Sequence, residues 1–242
     1  MLLEKMLQSQ GFGSRKYCQQ LIKNGHVAID GELITELKFQ LKPEGLHYSV
    51  MERDYQYQEK LYIALNKPAG YECSHQATHH FSVFDLLDGL FLNRGIQAVG
   101  RLDQDTTGIL LFTDDGQLIQ ALTHPKKHVP KVYQITTRDE VTAEQITQLE
   151  TGVSLHNEKG IFAAHDVKLL DSRHLQFTVH QGVYHQVKRM LAAVGNQVEQ
   201  LHRLQMGQLQ LQHLPEGEWC YLNDTQLLAA RHQLAEQELA FV

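Results

Sequence analysis

The sequence predicts an α+β protein: a mainly antiparallel mixed sheet with flanking helices, preceded by a small α/β domain. Three observations predict it. Apolar and β-branched runs recur as LYIALN, GILLFT, KVYQITT and HLQFTVH. Helical spacing appears between some of these runs, without the strict alternation that repeated βαβ units require. The first residues carry a separate pattern of two helices and a tight turn.

In the N-terminal part, Leu3, Met6 and Leu7 fall at helical spacing. Ser14 is a candidate N-cap for a second helix with Tyr17, Cys18, Leu21 and Ile22 on one face. Asn24-Gly25 ends that helix. HVAID-GELI then reads as two short strands around Asp30-Gly31, a dipeptide that tolerates the positive backbone angles of a tight hairpin. Residues 1–50 are therefore expected to form one small domain, residues 51–60 (MERDYQYQEK) a polar linker, and residues 61–242 a second domain. Within the second domain the run GILLFT stops at Asp114-Asp115-Gly116, and Thr142 with Gln145 has the spacing of a capping box. Val187, Met190, Leu191 and Val194 share one face of a helix over 185–194 that Gly195-Asn196 closes, with Lys188 and Arg189 on other faces. The tail from Asp224 reads as a terminal helix.

Composition narrows the function classes. Hydrophobic residues make up 42% and charged residues 21% of the 242 residues, which is globular rather than disordered. No apolar run reaches membrane-spanning length, and MLLEKMLQSQG has neither a basic n-region nor an apolar h-region, so the cytoplasm is the expected compartment. Cys18, Cys73 and Cys220 lack CxxC spacing and read as reduced thiols. A formal net charge of -6 opposes nucleic-acid binding by bulk charge. The charge is uneven, however. Residues 116–138 and 172–198 contain no acid and hold Lys126, Lys127, Lys131, Arg138, Arg173, Lys188 and Arg189, a distribution that suits a single RNA face.

The sharpest chemical signal is GRLDQDTTGILLFTDDG, residues 100–116, where two carboxylates and an arginine crowd a turn ahead of an apolar strand. Asp103 reads as a nucleophile paired with a nearby cation. Asp103-Gln104-Asp105-Thr106-Thr107 also fits the DxDxT of Mg2+-dependent phosphatases. A calcium loop fits worst, because its twelfth position is Asp114 rather than a bidentate Glu. Turn aspartates that cap backbone amides are the bland alternative. Cys73, His75 and His79 have ligand-like spacing but no fourth ligand, so no metal is expected.

GRLDQDTTG resembles the catalytic motif of pseudouridine synthases, specifically the RsuA-like group of ribosomal RNA enzymes. The resemblance extends, in the family's order, to LNKPAGY (65–71), HPKKHVPKVY (124–133), GVYHQVKRMLAAVGN (182–196) and LHRLQMG (201–207). Ser14-Arg15 and IKNGHVAIDG (22–31) resemble an S4 RNA-binding domain. The resemblance implies a pseudouridine-synthase catalytic domain behind an S4 domain, acting on ribosomal RNA without metal or cofactor; a monomer is the expected state. GVSLHNEKG (152–160) and LNKPAGYECS favour the branch acting on 16S rRNA, at uridine 516. Action on 23S rRNA, a catalytically silent S4-type assembly protein, and the phosphatase are the alternatives. By resemblance Asp103 is the nucleophile and Tyr133 stacks on the base and serves the C5 proton. Lys188 stands where related families pair an arginine with the aspartate, and Arg101 is the expected second contact. Leu201 walls the base pocket. His185, Gln186, Arg189, Lys126, Lys127 and Lys131, with Arg15, Lys16 and Lys23 of the S4 unit, are the expected RNA contacts.

Overall fold

The computed structural model describes residues 1–233 and 238–242. The chain divides into two compact units, Met1–Leu61 with Leu87–Gln97, and Tyr62–Leu86 with Ala98–Val242. Leu87–Gln97 therefore groups with the N-terminal residues, which a contiguous division of the sequence does not anticipate.

In the first unit, α1 (Leu3–Ser9) and α2 (Arg15–Lys23) pack through Leu3, Met6, Leu7, Cys18, Leu21 and Ile22. Ser14 caps α2, its Oγ accepting from Tyr17 N. Tyr17, expected on the buried face, is instead exposed at the edge of the stripe. β1 (Val27–Ile29) and β2 (Glu32–Leu33) form the hairpin across Asp30-Gly31, whose φ values are 48° and 86°. β3 (His47–Val50) and β4 (Arg53–Gln56) complete the order β2-β1-β3-β4. β4 occupies the stretch expected as a linker. Met51 and Glu52, both at positive φ, turn the chain back, and β4 is polar because it is an edge strand facing water. Tyr55 anchors it, stacked on Tyr48 at 5.5 Å and edge-on to Phe12 at 5.1 Å. Within the same unit α3 (Gly89–Asn93) is tied down by Asn93 Nδ2 donating to Gly11 O at 2.8 Å and by Arg94 donating to Gln58 O and Glu59 O.

Along the rest of the chain run β5 (Tyr62–Lys67), β6 (Tyr71–Glu72), β7 (Phe81–Ser82), β8 (Gln97–Ala98), β9 (Thr107–Thr113), α4 (Gly116–Thr123), β10 (Lys131–Thr137), α5 (Ala143–Thr151), β11 (His165–Leu169), β12 (His174–Val179), α6 (Gln186–Ala193), β13 (Val198–Met206), β14 (Leu209–Gln210), β15 (Trp219–Tyr221), α7 (Asp224–Ala230) and β16 (Ala240–Phe241). The main sheet follows β11-β12-β10-β13-β9-β5-β15. Its neighbours are antiparallel except β13 and β9, which run parallel. This is the mixed, mainly antiparallel sheet the alternating runs predict. Asp114-Asp115-Gly116 ends β9 and also starts α4, because Asp115 Oδ1 accepts from Gln117 N. The Thr142–Gln145 capping box forms at the head of α5. The helix from Asp224 ends at Ala230; residues 234–237 lie outside the described residues, and the final segment contributes β16, parallel to β14.

Two cores pack against the sheet, one around β9 and β5 and one around β10 and β12. Ala64, Ile109 and Leu111 pack with Leu118 and Leu122 of α4 and Ala229 and Ala230 of α7. Ile135, Leu175, Phe177 and Leu201 pack with Val187, Met190, Leu191 and Val194 of and after α6. No helix among the described residues is long and apolar enough to cross a membrane.

Candidate active site

Strand alternation builds the floor of the site. Lys131 and Tyr133 are two apart on β10 and share a face. Their cross-strand partners project to the same side: Val179 and Phe177 on β12, and Arg203 on β13 opposite Tyr133, with Leu201 opposite Ile135. α6 covers one end of this face with its apolar stripe. The other end opens as a cavity of about 160 Å³ whose lining includes Asp103, Lys131, Tyr133, His185, Leu201 and Arg203.

Asp103 sits on a turn closed by Thr106 N donating to Asp103 O at 3.1 Å. The turn is clamped from the LNKPAGY segment. Lys67, wholly buried, donates from Nζ to Thr106 O at 2.8 Å, Pro68 O at 2.9 Å and Gln104 O at 3.2 Å. Gly70 N donates to Gln104 O as well, at 2.9 Å. Burial pushes the Lys67 pKa down, with the nearby charges of Asp105 and Asp103 resisting. The motif closes with a glycine because β9 meets β13 there: a Cβ on Gly108 would lie 2.3 Å from Arg203 O and 2.7 Å from Arg203 N, at a φ of +106°.

Lys188 reaches back from α6 to place Nζ 3.1 Å from Asp103 Oδ2 and 2.6 Å from Asp105 Oδ1. Burial pushes the Lys188 pKa down, but hydrogen bonds to Asp105 and Asp103 and their charges outweigh it, so the pKa lies above the ordinary lysine value. For Asp105, burial pushes up and the Lys188 contact more than reverses it, leaving the carboxyl below its usual range. The other oxygen of Asp103 faces His185 Nε2 at 3.3 Å. His185 holds a left-handed backbone, φ 51°, just ahead of α6, and its ring stacks on Tyr184 at 3.7 Å.

His185 thus takes the place expected for Arg101. Arg101 lines the cavity but is exposed, and among the described residues it pairs with none of Asp103, Asp105 and Asp115. A guanidinium at the open mouth of a turn is better solvated than folded back onto a carboxylate that already has two partners.

The expected RNA contacts divide. Lys126 and Lys127 are exposed on a single 3-10 turn, and Lys16 and Lys23 are exposed on α2. Arg15 is engaged with the buried Glu4 at 2.7 Å. Arg189 is not a free cation: its guanidinium donates to Tyr184 O and His156 O and pairs with Glu158 at 3.2 Å, tying the 156–158 loop to α6. Gln186 is buried, with its amide on Gln181 and Met190 and its oxygen on Val183 N. Lys131 is no loop cation either. It opens β10 in the cavity wall, where burial, reinforced by Arg203, pushes its pKa down to about 8. Cys73 and His75 have other uses, the thiol accepting from Leu102 N and the imidazole stacking on Phe84 at 3.6 Å. Lys67 and Arg203 were not singled out by sequence reasoning. Each is a charged residue inside an otherwise apolar strand run, LYIALNK and LHRLQM, and that mismatch was the available signal.

A model of the RNA pseudouridylate synthase family matches residues 61–193, and an S4 domain model matches residues 1–46. The chain is 38% identical to an uncharacterized RNA pseudouridine synthase, YtzG, of Bacillus subtilis (strain 168), over 94% of this chain and 97% of that one. It is 37% identical to the ribosomal small subunit pseudouridine synthase A of Salmonella typhimurium and of Escherichia coli (strain K12), over 94% of this chain and 98% of each. A crystal structure of a pseudouridylate synthase superposes with a TM-score of 0.67 at 32% identity, covering 95% of this chain and 99% of that one.

Proposed function

This chain belongs to the RNA pseudouridylate synthase family and is an isomerase of ribosomal RNA of the RsuA-like kind; on that premise we propose that it converts uridine 516 of 16S rRNA to pseudouridine with Asp103 as nucleophile. The observation that carries the reading is the setting of Asp103. Its side chain is 27% exposed, on a clamped turn, beside the Lys188 ammonium, and it lines one cavity with Tyr133.

The isomerisation needs three things: a group that assists breakage of the C1'–N1 bond, a surface that holds the detached base, and an acceptor for the C5 proton. Asp103 supplies the first, oriented from two sides by Lys188 and His185. Tyr133 supplies a ring for stacking and a hydroxyl for the proton, and Leu201 walls the base. The target leaves its helix first. Extruding a base costs a few kcal/mol, offset by stacking and backbone contacts. Lys126 and Lys127, with Lys16 and Lys23 of the S4 domain, are the cations for those contacts. The same reading has residues 1–50 as the RNA-binding domain and residues 61–242 as the catalytic domain, working as a monomer in the cytoplasm.

The test is a nucleotide-resolution map of pseudouridine in rRNA from cells with and without the gene. Loss of the modification at position 516 of 16S rRNA is expected. A change confined to 23S rRNA overturns the substrate assignment, and no change in any rRNA overturns the catalytic one.

A further inference from the structure

Two buried polar atoms of the cavity wall have no hydrogen-bond partner among the described residues: Arg203 Nη2 and Thr106 Oγ1. Arg203 is 3% exposed, and the only hydrogen bond of its side chain among the described residues runs from Nε to Ile109 O, at 2.9 Å. Its charge is felt by two other cations, Lys131 and Lys67, which cannot accept a hydrogen bond from it. The Lys131 ammonium has no hydrogen-bond or ion-pair partner among the described residues either. A buried guanidinium is stabilised when its remaining donors are paired, so Nη2 is available to an acceptor that enters the cavity. The register shows where it is directed. Arg203 lies opposite Tyr133, on the sheet face that floors the cavity, and Lys131 lies two residues from Tyr133 on that same face.

We propose that Arg203, with Lys131 beside it, recognises the uracil ring, donating to a carbonyl oxygen of the target base and holding the negative charge that the base acquires when its glycosidic bond breaks. This rests on the reading of the chain as a uridine isomerase. When the C1'–N1 bond breaks, its electron pair leaves with the base and spreads from N1 onto O2 and O4. The pair returns to the sugar in the new C1'–C5 bond, and the proton lost from C5 is replaced at N1, so atoms and electrons balance within the nucleotide. Between those two events the ring must be held while it turns. A fixed, buried cation in the cavity does both jobs, binding the oxygens and stabilising the charge.

The same pair selects uridine. Guanidinium and ammonium groups only donate. Uracil offers acceptors at O2 and O4, whereas cytosine carries an amino donor at position 4 that leaves the buried donors unpaired. Thr106 Oγ1, which both donates and accepts, is the complementary group for the N3–H between the two oxygens. The low pKa of Lys131 fits this, because an arriving anion restores what Arg203 and burial remove.

Two measurements on the full-length protein decide it. In the first, the side-chain resonances of Arg203 and Lys131 are followed by NMR as uridine 5'-monophosphate, cytidine 5'-monophosphate and inorganic phosphate are added. Uridine 5'-monophosphate is expected to shift the Arg203 Nε signal and raise the midpoint at which Lys131 titrates, with cytidine 5'-monophosphate and phosphate doing neither. Equal responses to all three make the pair a phosphate subsite and overturn the proposal, whatever the enzyme's activity. In the second, single-turnover breakage of the C1'–N1 bond is compared for Arg203→Met and Arg203→Lys on RNA carrying uridine or 5-fluorouridine at the target. Arg203→Met is expected to slow uridine by about 10²- to 10³-fold with little change in RNA affinity, and Arg203→Lys to recover part of that loss. The loss should shrink with 5-fluorouridine, whose base carries the charge more easily. Equal losses on the two substrates, or an Arg203→Lys protein as slow as Arg203→Met, assign Arg203 a purely architectural part and overturn the proposal.

Discussion

Replacing Lys67 by Met removes an ammonium and keeps the volume, so it isolates the clamp beneath the Asp103 turn. The ammonium serves three carbonyls. Gln104 O keeps a second donor in Gly70 N, whereas Pro68 O and Thr106 O lose the Lys67 donor. A buried group stripped of its partner costs roughly 1–3 kcal/mol. Release from burying the ammonium, the same burial that lowers the Lys67 pKa, trims the sum, and the net destabilisation expected is about 2–4 kcal/mol. For urea slopes of about 1–3 kcal/mol per molar, the midpoint falls by on the order of 1–2 M. The single tryptophan, Trp219, pairs with Leu65 on the strand that ends in Lys67, so its fluorescence reports the unfolding of the affected strand. Turnover should fall further than stability alone explains, since a displacement of about 1 Å in a reacting group can cost roughly 10²-fold. An unfolding free energy within about 0.5 kcal/mol of wild type, together with unchanged turnover, refutes the clamp.

Other expectations follow from the same contacts. Gly108→Ala forces a methyl against the Arg203 backbone at a φ of +106°, and should destabilise by more than about 3 kcal/mol by urea titration, since strands β9 and β13 must part; a loss under about 1 kcal/mol would mean the strands are not so closely opposed. Tyr133→Phe should keep RNA affinity and lose product formation if the hydroxyl serves the C5 proton, whereas Tyr133→Ala should lose both; a fully active Tyr133→Phe removes the hydroxyl from the chemistry. The Asp105–Lys188 pair has a defined pH window. Asp105 is lowered in the fold, so its contribution is present above the ordinary value of 3.8 and is lost as pH falls through the lowered one. Lys188 is raised, so its contribution is present below 10.5 and is lost only as pH rises through the raised one. Lys131 runs the other way: lowered to about 8, it makes stability rise between about 8 and 10.5, a rise that urea midpoints should lose in Lys131→Met.

What the sequence made legible is what short-range physics controls. KVYQITT alternates and becomes β10, the Thr142–Gln145 spacing becomes a capping box, and the stripe Val187, Met190, Leu191, Val194 is buried as α6 requires. Asp30-Gly31 turns a hairpin because both residues accept positive φ. β4 was invisible because a mostly exposed edge strand has the composition of a linker, and only Tyr55, packed on Tyr48 and Phe12, marks it. Arg101 looked closer to Asp103 than it is because proximity in sequence was the sole guide, whereas His185 and Lys188 arrive from 82 and 85 residues away along the chain. The buried cations were hardest. A Lys or Arg in a strand run carries no sign of where its head group ends, and only the sheet register brings Arg203 opposite Tyr133 and Lys67 beneath the turn.

The central claim is that the carboxylate of Asp103 performs the isomerisation. The most direct measurement is single-turnover pseudouridine formation in 16S rRNA by the Asp103→Asn protein, with RNA affinity measured in parallel. The amide keeps the shape of the side chain, so affinity within a few-fold of wild type and no detectable product are expected. Product formed at the wild-type rate would contradict the claim outright.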